Sequence, residues 1–221
     1  MKIISIFKKL ARLAVNLLSF LFWAMILFGF NSPSVAVLTL LAALIHECGH
    51  IAAQIFTENF RGLPHFSLCG MKLRSVGRVC YKDELLILAA GPAANLFTFL
   101  FFYLLTVIFG GGFFIFALLN LFTAIGNLAP LYDTDGYKII TLLYSSLGLG
   151  FGAWRALSAV SFAFTVILTF LSLYLIMKVG DGFWIFIIFF FSLLNTLFNS
   201  KNIKKRDITR FKEKKRAFQS F

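Results

Sequence analysis

The sequence predicts an all-α polytopic membrane protein of about six transmembrane helices, with a short membrane-associated β-hairpin between helices 2 and 3. Three observations carry that prediction. Hydrophobic residues are 60% of the 221 and charged residues only 14%, with 30 Phe; a soluble domain averages about 45–50% apolar and about 25% charged. The apolar residues fall into long runs, each able to cross a hydrocarbon core about 30 Å thick. The basic residues fall between those runs, mostly in alternate loops. The formal charge of +12 therefore marks loops facing the cytoplasm. The expected partner is a lipid bilayer with an anionic surface, and no nucleic acid. Three Cys, one of them within an apolar run, make no disulfide framework.

The elements follow in order. Lys2, Lys8, Lys9 and Arg12 precede an uncharged run from Leu13 to Phe30. The run exceeds the roughly 7–15 residues of a signal-peptide core, so it is expected to be a retained first helix. Asn31-Ser-Pro-Ser34 is the turn, and 35–56 form the second span. Residues 57–83 make a basic loop, in which Phe66 to Val76 reads as short strand material turned near Gly70; its edge offers strand addition to an extended peptide. His65 is expected to be an exposed loop residue, and Cys69 and Cys80 reduced cytosolic thiols. The third span is Leu85 to Phe109, in which Pro92 either breaks the backbone ladder locally or marks the first turn of the fully formed helix. Gly110-Gly-Gly112 turns the chain into a fourth span, Phe113 to Ala129. A loop is expected over 130–153. Trp154 to Met177 and Phe183 to Phe198 are the fifth and sixth spans. Residues 1–200 thus form one membrane-embedded domain, and 201–221, with nine Lys and Arg against two acids, a basic cytoplasmic tail.

The second span contains His46-Glu47-Cys48-Gly49-His50, which fits H-E-x-x-H. On a helix the two imidazoles lie about 40° apart and Glu47 about 100° from His46. Two imidazoles at that spacing hold one metal ion, and the carboxylate beside them takes a proton from bound water. The alternative is a polar face bonded to neighbouring helices. A charge at that depth costs about 2.5–3.5 kcal/mol on insertion scales, so Glu47 needs metal, water or polar partners. Gly49 and the nearby Ala42, Ala43, Ala52 and Ala53 permit close helix approach. Cys48, about 200° from His46, reads as a packing residue rather than a ligand. Ala90-Gly-Pro-Ala-Ala-Asn95 opens the third span, with Asn95 as a hydrogen-bonding residue between helices. Asn120 and Asn127 share a face of the fourth. Asn127-Leu-Ala-Pro-Leu-Tyr-Asp-Thr-Asp-Gly136 closes that span and offers two carboxylates, Asp133 and Asp135, between which periodicity does not choose.

With the N-terminus in the cytoplasm and six spans, the loops at 57–83 and 130–153 and the tail all lie inside. Of the 21 Lys and Arg, only Lys178 then falls outside. That bias is the one expected of a multi-pass protein of the cell membrane with both termini cytoplasmic.

The three polar motifs, H-E-C-G-H, G-P-A-A-N and N-L-A-P-L-Y-D-T-D-G, together resemble those of the site-2 protease family of intramembrane zinc metalloproteases, in order and spacing, over about residues 35–140. The resemblance implies that His46, His50 and Asp135 hold Zn²⁺, that Glu47 is the catalytic base, and that Asn127 lies near substrate and shares the oxyanion charge. It picks Asp135 over Asp133. It implies a hydrolase acting on a membrane-spanning or membrane-tethered protein, as in regulated intramembrane proteolysis. The compact form is similar to the subgroup containing the stage IV sporulation protease. The chain departs from larger relatives in having no room for a PDZ domain between motifs or for a CBS domain in the tail. Two rival functions are a catalytically silent homologue that binds membrane proteins and a metal-ion transporter. The transporter lacks a second polar span, since spans five and six, apart from Arg155 at the inner end of span five, carry only Ser, Thr and one Asn.

Overall fold

In the computed structural model, residues 25, 27–29, 31–58, 65–67, 70–72, 80–132, 134–149, 151–179, 185–194 and 196–197 are described. Helix α1 runs from Pro33 to Phe56. Ser32 caps it, its hydroxyl accepting from the Val35 N–H at 3.4 Å, and Pro33 supplies a pre-set first turn. Two three-residue strands, β1 (His65–Ser67) and β2 (Gly70–Lys72), pair antiparallel with Phe66 opposite Met71. Helix α2 runs from Tyr81 to Phe109, with Asp83 and Glu84 in its first turn, where the helix dipole favours negative charge. It stops at Gly110, whose φ of +95° suits glycine. A 3₁₀ turn, Gly111–Phe113, leads into α3, Phe114–Leu128. Pro130 ends α3 by forcing Ala129 into an extended conformation. Helix α4 follows from Asp135 to Ser146, then α5 from Phe151 to Val179, and a shorter apolar helix α6 covers Ile185–Leu194.

Four of the described helices are long and apolar enough to cross a membrane: α1, α2, α3 with its leading turn, and α5. The protein is thus mostly helical and built for a bilayer. The expected first span at 13–30 lies almost wholly outside the described residues. So do the tail at 201–221, Cys69, and parts of the 57–83 loop and of the sixth span. The third span begins earlier than its apolar run, at Tyr81. It passes through Pro92 without a break in the helix, so Pro92 does not mark the first turn.

The expected loop at 130–153 is largely helical instead. Thr134 caps α4, and Tyr137, Leu142 and Ser145 form its buried side. At 12 residues, about 18 Å, it is too short to span and packs against α2, α3 and α5.

Helices α1, α2 and α3 pack on one another. Their shared core is made of small and polar residues: Ala36, Ala42, Ala117, Ala124, Asn95 and Asn120 are almost wholly buried. Large apolar side chains, including Phe97, Leu100, Phe101, Leu104 and Phe109 of α2, face outward. Lipid offers no gain for hiding apolar groups, so close backbone approach governs the packing. The same logic places Gly49 of α1 against the Ala90 carbonyl and Ala94 of α2, where a Cβ would collide with both.

Candidate metal centre

His46 and His50 lie one helical turn apart on the buried face of α1. Their Nε2 atoms are 3.1 Å apart, with the rings edge to face. Asp135, the first residue of α4, brings Oδ2 to 3.0 Å from His46 Nε2 and 2.9 Å from His50 Nε2. The three residues are 3–5% exposed, and among the described residues they are the one His/Cys/Asp/Glu group able to hold a metal.

His50 and Asp135 are held from behind, whereas His46 Nδ1 is buried without a hydrogen-bond partner among the described residues. His50 Nδ1–H donates to the Ile87 carbonyl of α2 at 2.7 Å. That bond selects the tautomer whose Nε2 carries a lone pair toward the centre, the usual outer support of a metal-binding imidazole. Pro92 lies in the same stretch of α2 and leaves the Leu88 carbonyl without its helical donor. Gly91 completes the wall: a Cβ there would overlap His50 Nε2 and stand 2.9 Å from His46 Cε1. Only a residue without a side chain lets α2 pass so close to both rings.

Asp135 is presented by a folded turn. Thr134 Oγ1 accepts from the Tyr137 N–H at 3.4 Å and is 2.7 Å from both the Ala129 and Leu131 carbonyls, so one hydroxyl ties the end of α3 to the start of α4. A Cβ on Gly136 would overlap the Leu128 carbonyl, so glycine lets the first turn of α4 press against the last turn of α3. Lys138 Nζ donates to Asp135 Oδ1 at 2.9 Å. Burial opposes ionisation of Asp135. The two imidazoles and the Lys138 ammonium prevail and hold its carboxyl below the usual carboxylate range.

This donor set fits a divalent metal. Three electron-pair donors converge with only about 3 Å between them. With the His50 Nδ1–H given to Ile87, the Nε2 lone pair of a neutral His50 faces the Asp135 carboxylate at 2.9 Å, and either an extra proton or a cation must lie between them. Two imidazoles and one carboxylate form a ligand set that leaves a fourth zinc position open.

Glu47 is half-buried beside His46, and its Oε2 has no hydrogen-bond partner among the described residues. Asn127 is half-buried near the end of α3 and donates one N–H to the Thr123 carbonyl at 3.0 Å. Asn95 is fully buried, and neither its Nδ2 nor its Oδ1 has a partner among the described residues. Cys48 is exposed and is not part of the His-His-Asp cluster. Asp133 lies outside the described residues, as does the side chain of His65. Gly91, Thr134 and Lys138 were not evident as site residues. Glycine next to proline in an apolar run, a hydroxyl before an acidic helix start, and a cation three residues after Asp135 were the available signals. The Ile87 carbonyl leaves no sequence signal.

Neither a family profile nor a curated protein sequence matches the chain. Among solved structures it is similar to a site-2 protease from Methanocaldococcus jannaschii. The identity is 18%, over 80% of this chain and 85% of that one, with a TM-score of 0.54. At that identity the likeness is one of fold: the chain shares the architecture of a site-2 protease, and its buried His-His-Asp group lies within that architecture.

Proposed function

We propose that the chain is an intramembrane zinc metalloendopeptidase that hydrolyses a peptide bond in or near a transmembrane segment of a substrate protein. The observation that carries this is the convergence of His46, His50 and Asp135 in a buried cluster, with Glu47 alongside. The cluster lies toward one end of three membrane-packed helices. His50 is six residues, about 9 Å, from the end of α1 at Phe56, and Ile87 is equally far from the start of α2 at Tyr81. That position gives water a short path from the membrane surface.

His46, His50 and Asp135 would hold a zinc ion, which when bound would supply Lewis acidity to a water molecule and to the scissile carbonyl. Glu47 takes the proton of the attacking water and delivers it to the leaving amine. Its unpaired oxygen leaves it free for that transfer. Asn127 spends one amide N–H on Thr123, and the second remains for the developing oxyanion. The substrate must be partly unwound, because a helical peptide bond is shielded by its own turn. The β1–β2 pair, read as a membrane-associated hairpin, offers an edge to such an extended segment.

The fold likeness and the motifs support the site-2 protease family. The distribution of Lys and Arg supports a six-span cell-membrane protein with both termini cytoplasmic.

The test is zinc content together with cleavage of a membrane-protein substrate. One zinc per chain, with cleavage abolished in Glu47→Gln and zinc retained, is the expected result. Cleavage that survives in Glu47→Gln would sink this mechanism, and zinc carried into sealed vesicles would point to a transporter.

A further inference from the structure

We infer that Lys138 is a positioning residue for the metal centre: its ammonium occupies Asp135 Oδ1, so that the carboxylate presents a single oxygen, Oδ2, to the ion. The inference rests on the proposed metal site and concerns how that site keeps a position open.

The two oxygens of Asp135 have separate partners. Oδ2 faces His46 Nε2 and His50 Nε2, whereas Oδ1 accepts from Lys138 Nζ at 2.9 Å. A carboxylate with both oxygens free binds a cation through one or both of them. Binding through both would add a ligand and crowd the position that catalysis needs for water.

Lys138 differs from an ordinary surface partner. Its side chain is 39% exposed while that of Asp135 is 7% exposed. The lysine therefore reaches inward from the edge of the protein to a buried group. It does so from the first turn of α4, the turn that Thr134 caps and that Gly136 seats against α3. Backbone and side chain together set the direction of the carboxylate. The ammonium would also draw charge from the ligand, leaving a bound ion the stronger Lewis acid.

The experiment uses the full chain in detergent, stripped of metal and titrated with Co²⁺ against a competing chelator. Visible absorption reports the coordination number. Lys138→Met should weaken Co²⁺ binding by about 10- to 100-fold, the usual cost of losing an outer partner. It should also lower the absorption per cobalt as coordination rises above four. Lys138→Arg should restore most of both, and helical content of the metal-free protein should not move in either variant. In an Asp135→Asn background, Lys138→Met should have no further effect. Wild-type affinity and spectrum in Lys138→Met would overturn the inference, as would an undiminished further loss in the Asp135→Asn background. Failure of the wild-type chain to bind Co²⁺ would overturn the metal site itself, and this inference with it.

Discussion

His46 and His50 stand on one face of a 24-residue helix, whereas Asp135 is the first residue of a 12-residue helix that follows a proline turn. The imidazoles are spaced by the helix itself, and a neighbouring backbone, Ile87 and Gly91 of α2, pins them. The carboxylate has no such frame. Its place depends on a hydroxyl clasp, a glycine contact and a lysine, each within three residues of it. A regular element delivers ligands through its period; an irregular one needs a dedicated contact for every degree of freedom. The carboxylate side of the centre should therefore be the more sensitive to small changes around the ligand.

The largest effect is expected at the ligand. Asp135→Asn should lose bound zinc and with it cleavage, while Asp133→Asn keeps both; equal losses in the two variants would show that the turn does not single out Asp135. Next is a contrast between two glycines. Gly136→Ala drives a methyl into the rigid Leu128 carbonyl, and Gly91→Ala drives one into the rings of His50 and His46. Both should cost about 1–3 kcal/mol of stability by thermal unfolding in detergent. Gly136→Ala should cost the more, since backbone yields less than a side chain, and a larger loss in Gly91→Ala would reverse the comparison. The smallest effect is expected from Thr134→Val, which keeps the shape of the clasp and removes its hydroxyl. Loss of the cap should cost about 1 kcal/mol, with weaker zinc binding and unchanged helical content. Unaltered zinc affinity would mean that the clasp does not orient Asp135.

The same contrast explains what the sequence made legible. A helix repeats, so His46 and His50 could be joined across one turn from their spacing alone. The carboxylate could not be chosen that way, because Asp133 and Asp135 sit in a polar stretch without period; only the resemblance favoured Asp135. Helix α4 was hidden for a related reason. Its start lies just beyond Pro130 and Gly136 occupies its first turn, so turn signals masked a capped helix that Thr134, Asp135, Tyr137 and Leu142 could have announced. Gly91 stands within the G-P-A-A-N motif, but its purpose depends on which helix passes behind the histidines. The partner of His50 is a backbone carbonyl, which every residue possesses.

Asp135 lies 89 residues beyond His46. Helices α2 and α3 must therefore be synthesised, and α4 begun, before the third ligand exists. A nascent chain that has inserted only α1 and α2 holds the histidine pair against Gly91 but cannot close the centre. On the proposed function, metal capture would thus follow assembly of the helical frame, and a half-inserted chain would lack a complete centre.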